Sequence, residues 1–391
     1  MINPGQFDLI VVGTGPAGCA LACALADLRC AVAGSSPPEE AAGLDPRVYT
    51  LSPGNVDFLR ELGAWARVPE ERRTAVHAMR VFGDDGRSEI RFDAYRAGVP
   101  ELAWTVEDRV LHVALAAQAR ARETVGFFAP AQCESLVLDE ARVRLRLAGG
   151  RELEAPLVVG ADGARSFVRS AAGIDAKSAD YGQVALVADF ACDRSHEHTA
   201  YQWFQSGAQG RGVLALLPLP GDQVSMVWSL ERETAERLAT FEARALAREV
   251  AAASGEALGG LRLVSDVRSY PLRRLAARRL VQSRLALVGD AGHVIHPLAG
   301  QGLNLGLQDV RALADVLNRR EPGRDPGDER LLRRYERQRA EPILAMDLMV
   351  DSLFRLFGAQ GAAVSRLRNS GLNLTNKVPV LKNLLMRQAM R

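Results

Sequence analysis

Glycine-rich segments in this chain have the spacing of loops that bind a phosphate-bearing ligand. The first, Gly13-Thr14-Gly15-Pro16-Ala17-Gly18, follows the apolar run Phe7 to Val12 and precedes an apolar, helix-like stretch from Cys19 to Leu28. Glycine lets a ligand approach the backbone because it has no Cβ atom. The start of a helix offers unpaired N–H groups to an anion. With a further short strand from Cys30 to Ala33, this order predicts a dinucleotide-binding unit.

A second glycine-rich segment, later in the chain, has a similar order of elements. The apolar run Leu285 to Val288 ends at Gly289-Asp290, a loop continues through Pro297, and Gly300-Gln301-Gly302 precedes a stretch whose apolar residues recur on one helix face. Asp290 follows the end of the predicted strand, where its carboxylate can accept hydrogen bonds from ligand hydroxyls. The alternative is a tight strand-to-helix turn that needs glycine for its geometry alone.

A third segment lies between these two. A buried-strand pattern from Ala155 to Val159 leads into Gly160-Ala161-Asp162-Gly163-Ala164-Arg165. Asp162 and Arg165 come just after the predicted strand, at the edge where open α/β sheets bind ligands. A turn aspartate and a surface arginine are the alternative interpretation.

One residue of the dinucleotide-binding pattern is missing. At the end of the second strand, about 20 residues after the first glycines, an acidic residue normally binds the ribose of the ligand. This chain has Gly34 there, followed by Ser35 and Ser36. Serine hydroxyls can bind a ribose, but less strongly than a carboxylate. Weaker retention of the ligand is therefore expected.

The composition is that of an ordinary globular protein. The chain has 391 residues, of which 48% are hydrophobic and 25% charged, and this length is enough for two domains. A formal net charge of +2 gives no sign of a nucleic-acid partner. Five cysteines without paired spacing indicate a reducing compartment and no disulfide framework. We expect a cytoplasmic protein with no signal peptide and no transmembrane helix.

A change of pattern in the second half predicts an inserted sheet. Strand-like segments run from Val184 to Phe190, Tyr201 to Phe204, Val213 to Leu219 and Gln223 to Leu230, and Thr234 to Ala252 predicts a helix. The expected fold is α/β and has three parts. These are a discontinuous nucleotide-binding domain (1–75, 101–180 and 270–345), a mostly antiparallel β-sheet domain (76–100 and 181–269) that binds substrate, and a C-terminal helical segment (346–391).

The end of the chain is both apolar and basic. Asp328 to Met349 predicts an arginine-rich helix with a kink at Pro342. The segment from Asp351 to Arg391 then contains leucines and phenylalanines with arginines and lysines among them. Two interpretations stay open. Either the last segment is a helical pair that packs on the body of the protein, or it makes a peripheral contact with a membrane or a partner.

Taken together, the three glycine segments resemble the fingerprints of the single-component flavin aromatic hydroxylases, the relatives of para-hydroxybenzoate hydroxylase. The resemblance is closer still to the ubiquinone-biosynthesis hydroxylases. The run from His296 to Gly306, with Asp309, looks like that family's signature, and Asp45-Pro46-Arg47-Val48-Tyr49 matches it as well. The resemblance covers essentially the whole chain and implies a Rossmann-like FAD-binding domain of the para-hydroxybenzoate hydroxylase type. Gly34 and Gly292 depart from the family pattern.

The resemblance also implies which residues contact FAD. The implied cofactor-binding residues are Gly13, Gly15, Gly18, Arg47, Arg109, Asp162, Asp290, Gly300, Gln301, Gly302 and Asn304. His296 and Pro297 are implied to line the flavin. From its residue type and its place on a loop alone, the alternative for Arg47 is a surface arginine or one that caps carbonyl groups. No metal site is expected, because no further ligands complete a set with His293 and His296.

The implied activity is that of an FAD-dependent monooxygenase. Reduced flavin reacts with O₂ to form a C4a-hydroperoxide, which an electron-rich phenol ring attacks; here the ring is a polyprenylated phenol of ubiquinone biosynthesis. Substrate is expected between the flavin and the inserted sheet, near Tyr201, Trp203, Phe204 and Leu216, although ordinary sheet core is the alternative for these aromatic residues. The sequence has no second GxGxxG, so NAD(P)H binds transiently or another electron donor reduces the flavin.

Two other functions stay open. The same chemistry can act on a soluble aromatic compound in catabolism or secondary metabolism. A degenerate chain that binds FAD poorly can instead be a structural subunit of a biosynthetic complex, an interpretation that depends on Gly34. The partners expected in the first case are the phenol, O₂, a ubiquinone-biosynthesis complex and the membrane surface.

Overall fold

The computed structural model describes residues 7–40, 43–85, 87–207, 210–296 and 300–358. The helices are α1 (Pro16–Ala24), α2 (Pro53–Glu61), α3 (Ala94–Ala97), α4 (Asp108–Arg120), α5 (Phe167–Ala171), α6 (Arg232–Ala239), α7 (Ala243–Ala253), α8 (Gly302–Asn318) and α9 (Glu329–Gly358). The strands are β1 (Leu9–Val12), β2 (Cys30–Ala33), β3 (Val48–Leu51), β4 (Arg73–Val76), β5 (Ala78–Phe82), β6 (Glu89–Asp93), β7 (Ala103–Glu107), β8 (Val125–Phe128), β9 (Cys133–Leu138), β10 (Val143–Leu147), β11 (Glu152–Ala155), β12 (Leu157–Gly160), β13 (Ala176–Cys192), β14 (Thr199–Gly207), β15 (Gly210–Leu219), β16 (Gln223–Glu231), β17 (Leu261–Leu263), β18 (Arg268–Ala277), β19 (Val281–Gln282), β20 (Leu285–Leu287) and β21 (His293–Val294).

A parallel sheet forms the centre of the nucleotide-binding part. Its described strands lie in the order β19-β20-β12-β1-β2-β8, and β19 runs antiparallel at one edge. Every residue of β1, β2 and β12 is buried, as expected for parallel strands covered on both faces. Helices α1, α4 and α8 cover one face, and β9–β11 with α5 cover the other. This arrangement confirms the predicted α/β fold and its opening strand–GxGxxG–helix–strand unit.

A larger, mostly antiparallel sheet forms the second part. Its described strands follow the order β21-β18-β13-β16-β15-β14-β5-β6, with β17 beside β13 and with β5 parallel to β14. One face of this sheet packs against α6 and α7 through buried residues such as Trp228, Leu238 and Leu246. The other face packs Phe204 against Ile295 and Leu305. The second face is therefore the one that approaches the glycine loops.

Two helices differ from their predicted bounds. The helix predicted from Cys19 to Leu28 runs instead from Pro16 to Ala24, and Leu25 after it is extended. It starts earlier because Pro16 is already set for the first helical turn and its missing N–H costs nothing there. The single helix predicted from Thr234 to Ala252 is divided into α6 and α7. The hydroxyl of Thr240 donates a hydrogen bond of 2.8 Å to the Arg237 carbonyl, a local bond that competes with continuation of the helix.

The end of the described chain is one long helix. α9 continues through Pro342 to Gly358, beyond the predicted end at Met349. The part of the predicted C-terminal segment from 359 to 391 lies outside the described residues. Among the described helices, none is both long and apolar enough to span a membrane.

A pair of leucine substitutions tests this account of packing. Leu307 of α8 is fully buried in the main core, whereas Leu344 of α9 is 56% exposed. We expect Leu307→Ala to lower the free energy of unfolding by about 2–5 kcal/mol, because it leaves a cavity. Leu344→Ala is expected to change it by less than about 0.5 kcal/mol. Urea denaturation of both variants checks this, and equal losses would contradict the assignment of Leu307 to the core.

Candidate functional site

The register of the parallel sheet brings the three glycine segments together. Val12 lies beside Gly160, and Gly160 lies beside Leu287, so β1, β12 and β20 end at the same edge. Gly13 follows β1 and adjoins the Ala161 carbonyl so closely that a Cβ atom would lie 2.2 Å from that oxygen. The loops that carry Gly13, Asp162 and Asp290 thus form one continuous surface.

The glycines of the first loop have different structural roles: two are required by packing, and one leaves open space. Gly13 has φ +118°, and a Cβ atom at Gly18 would lie 2.0 Å from the Gly13 carbonyl oxygen, so both are required by the packing of the protein itself. A Cβ atom at Gly15 would meet no protein atom within 4 Å. The same is true at Gly302, the first residue of α8. These two open positions leave room for a ligand against the backbone.

Both helices that follow glycine loops start without a side-chain cap. α1 follows Gly15 and α8 follows Gln301, and neither has an acidic residue in its first turn. By contrast, the hydroxyls of Ser52 and Ser166 cap α2 and α5. Uncapped N–H groups and the positive end of the helix dipole favour an anion at the starts of α1 and α8.

Asp290 follows Gly289, which packs between α1 and α8: a Cβ atom at Gly289 would lie 3.7 Å from the Ala17 Cβ atom and 3.6 Å from the Gly306 Cα atom. We call the space between the three loops at this place the cleft. The Asp290 side chain is exposed to solvent, yet protein atoms crowd around it. This crowding raises the pKa of its carboxyl, while the nearby cations His293 and Arg47 act in the opposite direction. A carboxylate in this position can accept hydrogen bonds from ligand hydroxyls.

Arg47 and Arg109 each lie close to an acidic neighbour, and Arg47 is also near Asp290. Arg47 is exposed, lies 3.7 Å from the Asp108 carboxylate, and has its guanidinium 5.5 Å from the centre of the Tyr49 ring. Arg109 lies 3.8 Å from the buried carboxylate of Asp45. Both contacts are longer than a hydrogen bond, so each guanidinium keeps donors for a ligand.

One carboxylate oxygen of Asp162 accepts a hydrogen bond, and the other has no partner among the described residues. Its Oδ2 accepts a hydrogen bond of 3.0 Å from the Val168 backbone at the start of α5. Its Oδ1 is buried and has no hydrogen-bond partner among the described residues. An unsatisfied buried oxygen costs free energy that a ligand donor can recover.

Asn304 is already fully engaged by the protein. Its Oδ1 accepts hydrogen bonds of 2.9 Å from the Ser52 backbone and from the Asn55 side chain, and its Nδ2 donates to the Thr50 carbonyl at 2.8 Å. It therefore ties α8 to the loop before α2. Gly300 has φ +64°, and a Cβ atom there would lie 3.5 Å from the Thr50 side chain, so it belongs to the same junction.

His296 lies on the sheet side of the cleft. It is fully buried, with Nε2 3.2 Å from the Gln183 Oε1 and its ring edge-on to Tyr181. Burial lowers the pKa of His296 to about 4, so the ring is neutral at physiological pH. Pro297, also predicted to line the flavin, lies outside the described residues.

Gly34 packs directly against the first glycine loop. A Cβ atom there would lie 3.2 Å from the Thr14 backbone nitrogen, and the Thr14 hydroxyl donates a 2.7 Å hydrogen bond to the Ser35 carbonyl. The side chains of Ser35 and Ser36 are exposed beside the loop. This loop junction leaves little space for the side chain that Gly34 lacks.

The four residues predicted to form the substrate pocket do not share a face. Side chains alternate along a strand, and Tyr201, Trp203 and Leu216 point to the face covered by α6 and α7, where they are core. Phe204 points to the opposite face and contacts Ile295, just before His296. Of the four, Phe204 is the one placed toward the glycine loops.

A buried ionic cluster behind the second glycine loop was not predicted as a functional feature. The Asp309 carboxylate accepts hydrogen bonds from the Gly289 backbone at 3.0 Å, from His293 Nε2 at 2.6 Å and from Arg339 Nε at 2.7 Å. We call Asp309, His293 and Arg339 the Asp309 cluster. The available sequence signals were an aspartate in an apolar helix and a histidine after the loop; Arg339 had no local signal.

The described residues contain no group of three or more His, Cys, Asp or Glu side chains that could hold a metal ion. They do fit a dinucleotide. Space beside Gly15 and Gly302, two uncapped helix starts, and the carboxylate of Asp290 together supply an anion site and a hydroxyl acceptor.

Comparison with known proteins identifies the family. A family model described as an FAD binding domain matches residues 6–347. The chain belongs to this FAD-binding family and is an FAD-dependent monooxygenase. Ubiquinone hydroxylase UbiL of Rhodospirillum rubrum is 36% identical over 388 residues, covering 98% of this chain and 89% of that protein. The 3-demethoxyubiquinol 3-hydroxylase of Escherichia coli is 32% identical over 389 residues, covering 98% of each chain.

A solved structure agrees with these relatives. PqsL of Pseudomonas aeruginosa, crystallised with 2-aminobenzoylacetate, superposes with a TM-score of 0.78 at 26% identity, over 94% of this chain and 99% of that one. The para-hydroxybenzoate hydroxylase type of fold expected from the sequence is thereby confirmed.

Two glycine substitutions separate folding from cofactor binding. Gly15→Ala adds a methyl group to open space, so we expect a melting temperature within about 2 °C of the wild type. Its FAD affinity should fall at least about tenfold, because the methyl group keeps the pyrophosphate from the backbone. Gly13→Ala should instead lower the melting temperature, since its methyl group collides with Ala161. Thermal unfolding and FAD fluorescence titration measure both. Unchanged FAD affinity in Gly15→Ala would contradict the site.

Proposed function

We propose that this protein hydroxylates the aromatic ring of a polyprenylated phenol in ubiquinone biosynthesis, with O₂ and an electron donor as co-substrates. The observation that carries the proposal is the similarity, over nearly the whole chain, to a ubiquinone hydroxylase and a 3-demethoxyubiquinol 3-hydroxylase. A glycine-lined cleft beside an apolar sheet face is compatible with a flavin and a hydrophobic ring substrate.

In this proposal the cofactor is held by the loops at the carboxyl edge of the parallel sheet. Gly15 leaves room for the pyrophosphate, Gly13 and Gly18 allow the loop to pack in the shape that receives it, and Asp290 accepts hydrogen bonds from FAD hydroxyls. Arg47, Arg109 and Asp162 supply further polar contacts. Bound FAD supplies the chemistry that activates O₂.

The remaining residues act on the flavin and the ring by position. The uncapped start of α8, formed by Gly300, Gln301 and Gly302, stabilises negative charge on the flavin. Asn304 holds this helix start against the loop before α2. Neutral His296, followed by Pro297, lines the site without adding charge, and Phe204 with Ile295 forms an apolar wall that excludes water.

An apolar stripe on α9 supports a substrate that is delivered from a membrane. The exposed residues of this stripe are Leu344, Leu348, Met349 and Leu356. The opposite side of α9 packs Val350 into the same cluster as Phe204 and Ile295. α9 thus covers the proposed substrate face with one side and exposes the stripe to solvent on its other side. We propose that this protein lies on the cytoplasmic side of a membrane and contacts the lipid surface, where polyprenyl chains reside, through this stripe.

Liposome binding tests the stripe. The double variant Leu344→Ser and Leu348→Ser should pellet with phospholipid vesicles at least about threefold less than the wild type, because two exposed apolar groups no longer enter the interface. Val137→Ser is the matched control, since Val137 is a 43% exposed residue on β9, away from α9. Equal loss in both variants, or none in either, would contradict a membrane contact at the stripe.

A soluble aromatic substrate is the second candidate. It is favoured by the similarity to PqsL, whose structure holds 2-aminobenzoylacetate. The electron donor belongs to the same proposal: NAD(P)H that binds transiently, or a separate reductase. Neither candidate needs a further nucleotide-binding loop in this chain.

Turnover in ¹⁸O₂ distinguishes the candidates. We expect FAD-loaded protein, supplied with a reductant and vesicles that carry a prenylated phenol, to give a product with one ¹⁸O atom. The kcat/KM for the prenylated phenol should exceed that for the same ring without its tail by about tenfold or more, because the tail is buried or lipid-bound. Preference for the bare ring would favour the soluble-substrate candidate, and reductant consumption without labelled product from either would overturn both.

The structural-subunit alternative is tested in cells. Asp290→Ala removes the hydroxyl acceptor of the proposed FAD site. If the protein works as an enzyme, this variant should not restore quinone synthesis to a hydroxylase-deficient strain, although an immunoblot shows normal abundance. Full restoration by Asp290→Ala would support a role that does not require FAD.

A further inference from the structure

The Asp309 cluster links the cofactor loop to two helices. Asp309 belongs to α8, Arg339 to α9, and His293 follows the turn that begins at Gly289. All three side chains are buried, and the Gly289 backbone donates to the same Asp309 oxygen as His293. Asp290, the proposed FAD contact, is the residue next to Gly289. The cluster therefore fixes the position of Asp290 through two bonds to one carboxylate.

The charges in the cluster do not cancel. Burial disfavours the charge of His293, but the pKa of its imidazole is raised because Asp309 accepts its hydrogen bond and Asp290 lies nearby. Burial acts against ionisation of Asp309 as well, yet its pKa is lowered by His293 and Arg339. Below the raised pKa of His293, His293 and Arg339 are therefore two cations that face one carboxylate, and the three groups together carry one net positive charge.

The other groups around the cluster leave this balance in place. Tyr335 of α9 donates its hydroxyl proton to the Leu287 carbonyl, and burial raises the pKa of that hydroxyl, so it stays neutral. Arg169 of α5 donates to the Ala291 carbonyl and adds a further cation near the turn. Asp290 is the anion on the cofactor side, and it is exposed to the cleft.

We propose that His293 is a positioning residue whose buried positive charge makes bound FAD easier to reduce, acting through the Gly289–Asp290 turn. Two-electron reduction of a flavin with uptake of one proton leaves one added negative charge on the ring system. A fixed cation behind the cofactor loop stabilises that charge, because a buried site screens it less than water does. The inference depends on FAD binding, and it does not depend on which ring compound is hydroxylated.

A dependence on pH follows. A histidine whose pKa is raised in the folded state contributes stability that is present below its ordinary pKa of about 6.5. That contribution is lost as the pH rises through the raised value. The negative charge that reduction adds to the flavin should raise the pKa of His293 further. The flavin potential should therefore fall more steeply with pH near the His293 pKa than it does in a protein without this titration.

Two substitutions, one at each end of the His293–Asp309 hydrogen bond, separate charge from structure. His293→Gln keeps a donor toward Asp309 but removes one positive charge, so the net charge of the cluster becomes zero. Asp309→Asn removes the carboxylate that raises the pKa of His293, so burial should then leave His293 neutral. Arg339 alone remains charged, so the net charge stays at one positive. The two variants therefore differ in electrostatics although both disturb the cluster.

The measurement is the two-electron reduction potential of FAD-loaded protein by dye equilibration, without substrate, together with FAD affinity. It is made at pH 6.0, below the ordinary histidine pKa of about 6.5, where a raised pKa keeps His293 protonated. We expect His293→Gln to have a clearly more negative potential than the wild type, with FAD affinity within about threefold. Asp309→Asn should keep a potential close to the wild type and bind FAD about tenfold more weakly, because it loses charged hydrogen bonds to the turn.

A purely structural role gives a different result. If both variants bind FAD more weakly and neither shifts the potential, His293 only supports the turn and the proposal is overturned. If His293→Gln does not fold, the wild type and Asp309→Asn are compared between pH 6 and 9. A steeper fall of the potential in the wild type supports the proposal, and equal slopes contradict it. No ring substrate is needed, so failure here is distinct from failure of the proposed hydroxylation.

Discussion

The site depends on one constraint, the register of three parallel strands that end together. Because Val12 pairs with Gly160 and Gly160 with Leu287, the loops after β1, β12 and β20 must share one edge of the sheet. The contact between Gly13 and the Ala161 carbonyl leaves no room for a side chain at this crossing. A cleft with backbone N–H groups, open glycines and one exposed carboxylate follows from that packing.

The second sheet contributes an apolar wall whose orientation is set by strand alternation. One face of this sheet is covered by α6 and α7. On the other face, Phe204 packs against Ile295, which precedes the loop before α8. α8 and α9 contact both parts, because Leu305 of α8 and Val350 of α9 pack in one cluster with Phe204 of the second sheet. On the other side, Asn304 is bound to the loop before α2, and the Asp309 cluster is bound to the Gly289 turn. Cofactor and substrate surfaces are thus supported by the same two helices.

The fold and the glycine loops were predictable from local patterns, whereas side-chain partnerships across the chain were not. The sequence signals for a strand, a glycine loop and a helix lie within a few residues of one another, so β1, α1 and β2 could be predicted. The alternation of Tyr201, Trp203 and Phe204 already excluded a shared face, but it did not say which face meets α6 and α7. The pairing of Asp309 with Arg339, 30 residues later, depends on how α9 packs on α8 and leaves no short-range pattern.

The most direct test of the account is FAD binding by the wild-type protein, measured by its visible spectrum after saturation with FAD and desalting. If the cleft is a flavin site, the saturated sample should show a bound-flavin spectrum at about one FAD per chain. Part of the flavin should be lost on desalting, because Gly34 replaces the ribose-binding acid. Protein that takes up no FAD at any concentration, while its circular dichroism and melting curve are those of a folded chain, would contradict the central claim that this cleft is a flavin site.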